Sequence, residues 1–246
     1  MQTQPRIIVG VPGTWANRSE IVTSIASKSQ GFLFAGNLIM NLATHEAFEL
    51  QIHEHDPRLR EVFKIAGSGK FSERDLALIA SHTYTLYALG PAGSLESARS
   101  AMAVACGLLR AGGLAVKVES AGVAHTAEHW FRFSETAGPL PLYGAYVTLI
   151  GGGGTVYSCG MHNLGLRDGI VSGNISPKEA TGLLQTFLLY TLLETPVLEH
   201  GHTFSVDAQA PRYRLEAETC SKYAPDRAFH NPFGMWRLCP VEGHQG

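Results

Sequence analysis

Leu95-Glu-Ser-Ala-Arg-Ser-Ala-Met-Ala-Val-Ala-Cys-Gly-Leu-Leu-Arg110, followed by Ala111-Gly-Gly113, divides the chain in two. The run is rich in Ala and Leu, holds no proline, and predicts one long helix over residues 95–110. Gly112 and Gly113 end it, because glycine reaches the left-handed conformation at a helix C-terminus without penalty. The stretches on its two sides read with the same order of elements.

Before the helix, residues 7–11 form a β-branched run closed by Pro12-Gly13, a buried strand and turn. Asn17 or Ser19 caps a helix through Ser27, with Ile21, Val22, Ile25 and Ala26 at helical spacing. Residues 32–43 and 47–53 read as a hairpin. Pro57 opens a helix carrying Leu59, Val62, Phe63 and Ile65, and Ser72 caps a second one with Asp75 at its third position. A strand over 83–89 completes β-α-β-β-α-β. After the long helix come a strand over 114–119, a helix over 125–134 and a hairpin of 145–150 with 155–159. A helix capped by Ser176, with Pro177 and Glu179, runs to about 194. Strands follow over 203–207 and 213–218. The expected fold is α+β, two ferredoxin-like halves with mostly antiparallel sheets, residues 1–92 and 93–246, the second including the linking helix.

Hydrophobic residues make up 45 % of the 246 and charged residues only 16 %, so the chain can bury a large core. A net charge of −2, with Lys and Arg scattered, argues against non-specific nucleic-acid binding. The four cysteines form no C-x-x-C pair, so a structural zinc site is unsupported, and a Cys220–Cys239 disulfide has no positive sign. Residues 1–6 hold no signal-peptide core and no apolar run reaches membrane length. A reducing cytoplasm is the expected compartment.

Few residues carry recognisable chemistry. His125-Thr-Ala-Glu-His129 matches H-x-x-E-H, in which two imidazoles one helical turn apart hold zinc and Glu128 serves as base. A third ligand would come from Glu194, Glu199, His200 or His202. Against this, eleven histidines make a chance match easy, and Trp130 and Phe131 follow as core anchors. The expectation is no metal, no cofactor and no catalytic residue. Gly151–Gly154 lead into the strand-like Thr155-Val-Tyr157 rather than a helix, which favours a hairpin loop over a phosphate cradle. Glu46, Glu49, Glu54 and Asp56 are the densest acidic group and the candidate partner-binding residues.

Two segments stand apart: Tyr157-Ser-Cys-Gly-Met-His-Asn-Leu-Gly-Leu-Arg-Asp-Gly-Ile-Val171 and Asn231-Pro-Phe-Gly-Met-Trp-Arg-Leu238. Both read as rigid corners packed around backbone that needs Gly or Pro. With Ile8-Val-Gly-Val-Pro-Gly-Thr-Trp15, Phe34-Ala-Gly36, Ser120-Ala-Gly-Val-Ala-His125, Trp130 and Gly201-His-Thr-Phe204, they resemble the bacterial domain-of-unknown-function family numbered 4261. That family has no established catalytic residues to carry over. Some of its members resemble immunity proteins encoded beside polymorphic toxins, including type VI secretion effectors. The resemblance therefore implies a cytoplasmic protein that binds and blocks a cognate toxin, by some parallels a nuclease. The alternatives are a zinc hydrolase using His125 and His129, or a non-catalytic module holding a ligand between the halves.

Overall fold

A computed structural model describes residues 5–173 and 175–241. The chain is mixed α+β, with seven helices and two mostly antiparallel sheets among the described residues. In the first half, β1 (Arg6–Gly13) leads to α1 (Arg18–Lys28), whose cap is Asn17, accepting from the Glu20 N–H at 3.0 Å. Then come β2 (Phe32–Ala35), β3 (Leu38–Asn41), β4 (Ala47–Glu54), α2 (Leu59–Ala66), α3 (Glu73–Ala80) and β5 (Tyr84–Pro91). The segment read as one strand over 32–43 is itself a hairpin. Gly36, at φ +62°, turns the chain between β2 and β3.

α4 (Leu95–Arg110) matches the predicted helix. Beyond it lie β6 (Ala115–Val118), β7 (Val123–Thr126), α5 (Ala127–Ser134), α6 (Pro139–Tyr146), β8 (Thr148–Gly152) and β9 (Thr155–Cys159). A 3-10 turn, Met161–Leu164, leads to β10 (Asp168–Ser172). Then follow α7 (Pro177–Glu194), β11 (Thr203–Phe204), β12 (Tyr213–Glu218) and β13 (Met235–Pro240).

The first sheet has the order β2-β3-β4-β5-β1-β6-β7, and the second β11-β12-β13-β10-β9-β8. These orders correct the expected ferredoxin-like halves. In such a unit the first strand lies between the third and the last. Here the last strand of the unit, β5, lies between β4 and β1, and β1 pairs on its free side with β6. The β6–β7 hairpin comes from beyond residue 92, so the first sheet draws strands from both stretches of chain. In the second sheet β10 and β13 run parallel, joined through α7 and the β11–β12 pair.

Alternation explains the layering. Val9, Leu86, Ala88, Val116 and Val118 point to the face that α1 and α4 cover. Ala115 and Ala124 point to the other face, where Leu59, Phe63, Leu76 and Ile79 of α2 and α3 form a small second core. α7 packs on the second sheet through Leu184, Phe187 and Leu188. The main core is continuous from Ile7 to Leu238 and includes Trp130 and Trp236, both buried.

Candidate functional site

The two Gly-marked segments meet. Gly160, at φ +114°, turns the chain out of β9, and β10 begins at Asp168, whose carboxylate is buried. Ser158 donates its hydroxyl to Asp168 Oδ1 at 2.7 Å and accepts the Gly169 N–H at 2.9 Å. Asn231 donates from Nδ2 to Asp168 Oδ2 at 2.8 Å and to the Leu166 carbonyl at 3.0 Å. Its Oδ1 accepts the Phe233 N–H at 2.9 Å, fixing the turn into β13. Burial pushes the Asp168 carboxyl up to about 6, and the bonds from Asn231 and Ser158 pull the other way. This network is a buried polar rivet that holds β9, β10 and the approach to β13 in one register.

Asn231 of this network also lines an open cleft of about 1020 Å³. Arg167 lies over the Trp236 ring at 5.0 Å and donates to the Glu218 carbonyl at 3.3 Å. Phe233, 36 % exposed, stands at the cleft edge, and the C-terminal end of α7 forms another wall through Thr191, Thr195 and Pro196. A Cβ on Gly234 would strike the Glu218 carbonyl and the Arg167 guanidinium, so glycine there lets Arg167 settle on Trp236. A flat guanidinium on an indole face keeps further N–H donors with which it can take a carbonyl or carboxylate from a partner.

The other predicted positions lie elsewhere. His125 is on β7, not on a helix, and Thr126 is the cap of α5. The H-x-x-E-H spacing therefore does not place His125 and His129 on one helical face. His125 is fully buried and gives its Nε2–H to the Ala145 carbonyl at 3.0 Å, and burial pushes its ring down to about 4. His129 Nδ1 contacts the Thr126 hydroxyl at 3.0 Å, while Glu128 is exposed and paired with Arg132 at 2.8 Å. Glu194 ends α7, and Glu199, His200 and His202 sit in the loop before β11, an edge of the second sheet, whereas β7 is an edge of the first. Among the described residues no three His, Cys, Asp or Glu side chains are placed to hold a metal ion. Gly153 and Gly154, both at positive φ, form the β8–β9 hairpin turn. All four cysteines are free.

The acidic residues flank or lie on β4, which at about 3.3 Å per residue spreads Glu46 and Asp56 roughly 30 Å apart. Glu46 accepts from Ser100 at 2.7 Å, Glu49 pairs with Arg6 at 3.0 Å, and Asp56 pairs with Arg58 at 2.9 Å. The Arg58 guanidinium and N–H hold the Asp56 carboxyl down at about 2. Glu54 is exposed at the strand end. The four carboxylates make a stripe, partly neutralised, rather than a single patch.

Sequence reasoning passed over Arg167 and the Asp168–Asn231 bond. A signal was present: each Gly-marked segment carries buried-type polar residues, Ser158 and Asp168 in one and Asn231 in the other, that need partners. No helix among the described residues is long and apolar enough to cross a membrane. Residues 157–227, from β9 through the loop before β13, match the family model described as Domain of unknown function (DUF4261). No curated protein and no solved structure matches the chain.

Proposed function

We propose that this chain, which carries the DUF4261 segment over residues 157–227, is a non-enzymatic immunity protein that binds a cognate toxin in the cytoplasm and neutralises it. The family resemblance supplies the kind of partner, a toxin of the type VI secreted class with nuclease activity. The observation that carries the binding role is Arg167 on Trp236 beside Phe233, lining an open cleft together with Asn231, whose amide is already bonded to the buried Asp168 behind it. Arg and aromatic side chains supply most of the energy of protein interfaces when a partner dries them. An Asn231 wall held beforehand by Asp168 and the Leu166 carbonyl lowers the ordering cost of association. The acidic stripe of Glu46, Glu49, Glu54 and Asp56 is a second contact surface, suited to steering a basic toxin.

The test is to purify the chain with the product of the adjacent gene and to express that product in cells with and without it. A stable complex, a dissociation constant near nanomolar (about −12 kcal/mol) and protection without turnover are expected. Arg167→Ala should raise the dissociation constant at least about tenfold, mainly through faster dissociation, while unfolding stays cooperative at a modestly lower melting temperature because the Trp236 and Glu218 contacts are lost. Reversing Glu46, Glu49 and Glu54 to Lys should slow association and reduce its salt dependence, by less than that factor because Arg6 already offsets Glu49. Failure to bind or protect against any neighbouring gene product sinks the immunity role. Unchanged affinity in Arg167→Ala removes the cleft from it.

A further inference from the structure

Among the described residues the two sheets have four end strands, and three of them are blunted. β11 is two residues long. β7 is mostly buried, against α5 and α6. β2 is four residues long and carries Arg18 of α1 over its Phe34 ring, with the guanidinium donating to the Gly36 carbonyl at 2.6 Å. Short, covered or charged edges resist pairing with further strands. β8 has none of these devices. Thr148-Leu-Ile-Gly-Gly152 holds no charge and no proline, and it pairs with β9 residue for residue, without a bulge.

The hairpin turn fixes which backbone groups β8 leaves open. Gly153 and Gly154, at φ +59° and +73°, make a two-residue turn of the type that needs positive φ at both positions. In such a hairpin the flanking pair, Gly152 and Thr155, exchanges both backbone bonds, and alternation gives Ile150–Tyr157 and Thr148–Cys159 the same arrangement. The N–H and C=O of Leu149 and Gly151 therefore point away from β9, and they have no hydrogen-bond partner among the described residues. The same edge ends an apolar row. Gly169 and Val171 face α7, Val156 stands beside Val171, and the next position in the row is Gly151. At Gly151 opens a cavity of about 410 Å³, whose walls include Val156, Val171, Ile175 and Ala180.

We propose that β8 pairs with β8 of a second copy of this chain, antiparallel about a two-fold axis at Ile150. Leu149 then faces the partner's Gly151, and Gly151 faces the partner's Leu149. Each of these pairs exchanges two backbone bonds, so both open residues of each strand are satisfied. The partner's Leu149 continues the row of Val171, Val156 and Gly151 and covers the bare glycine beside the cavity. Moving the axis to Leu149 sets Gly151 against Val147 at the end of α6, and moving it to Gly151 sets Leu149 against Gly153 in the turn. Only the axis at Ile150 keeps both pairs within the strands. A large residue opposite a small one in both directions is what favours a second copy over an unrelated strand. The pairing does not depend on toxin binding, and its test is separate.

Sedimentation equilibrium of the whole chain should show monomer and dimer with a dissociation constant on the order of 10 μM, because one strand pair is a small interface. Ile150 is half-buried, and about the axis it meets its own copy in the closer, non-hydrogen-bonded kind of pair. Ile150→Lys sets like charges against each other there, so it should raise the constant at least about tenfold while unfolding stays cooperative. Ile150→Glu should do the same. Mixed in equal amounts, the two variants should associate at least about tenfold more tightly than either alone, because a strand that meets itself at Ile150 turns them into an opposite-charge pair. A wild-type chain still monomeric at about 500 μM would overturn the proposal and leave the edge to a strand of another protein. A dimer unmoved by Ile150→Lys, or a mixture that associates no better than its components, would overturn it by placing the contact elsewhere.

Discussion

Asp168, His125 and His162 are ionisable side chains buried where water cannot stabilise a charge, and their effects on stability have opposite signs. Asp168 titrates near 6 in the folded chain, above the ordinary 3.8. The folded state holds that proton more tightly, so its contribution is full below 3.8 and is lost as pH rises through 6, about 3 kcal/mol in all. His125 and His162 titrate near 4 instead of 6.5, so each contributes above 6.5 and loses about 3 kcal/mol as pH falls through 4. Between pH 7 and pH 5 the two imidazoles outweigh the one carboxyl. Denaturant unfolding should therefore show roughly 2 kcal/mol less stability at pH 5 than at pH 7. Asp168→Asn removes the opposing group, so its loss over the same interval should be larger than the wild type's. A wild type more stable at pH 5 would show that these rings are not held neutral by burial. None of this was legible in the sequence, where His125 belonged to a helical metal motif and Asp168 to a corner without chemistry. Burial depends on which strand a residue joins, and the motif spacing carried no word of β7.

At the scale of elements, what local chemistry controls was legible and what close packing controls was not. Asn17, Ser72 and Ser176 cap their helices as read, the last two with reciprocal bonds from Asp75 and Glu179. β10 escaped notice because its second residue is Gly169, which breaks the alternation. A side chain there would meet Leu184 of α7. β13 follows the Asn231 turn directly, and its apolar run was absorbed into the reading of a corner. Gly160 shows the same dependence in testable form. It sits at φ +114°, and a Cβ would strike the Tyr146 carbonyl oxygen in the α6 C-terminal turn. Gly36, at φ +62°, has open space around it. Gly160→Ala should cost roughly 2–4 kcal/mol, while Gly36→Ala should cost about 1–2 kcal/mol, the backbone penalty alone. Equal costs in chemical denaturation would mean that conformational preference, not the fit of the β9–β10 turn against α6, makes glycine necessary at 160.

At the scale of the whole molecule, the repeated order of elements suggested two halves, and the strand pairing joins them. Pattern alone could not reveal this, since β6 and β7 have the periodicity of any strand and their partner is fixed only by tertiary packing. β1 is central because β5 pairs on one side and β6 on the other. Ile7, Val9 and Val11 of β1 are fully buried, and α4 packs on the strand that carries them. A fragment of residues 1–92 would lack both α4 and β6. It would leave β1 as an edge strand with unpaired backbone groups, and an apolar face with α1 as its remaining cover. Losing that burial at roughly 25 cal/mol per Å² exceeds the margin by which a domain of that size is stable. The fragment should therefore lack a cooperative thermal transition and dispersed amide resonances. A longer fragment, residues 1–134, which restores α4, β6, β7 and α5, should regain both. The intact chain should unfold in one calorimetric transition, because a single core runs through both sheets. A folded 1–92 fragment, or two separated transitions in the whole chain, would show that the sheet crossing residue 92 is an attachment between independent units and not the frame on which both are built.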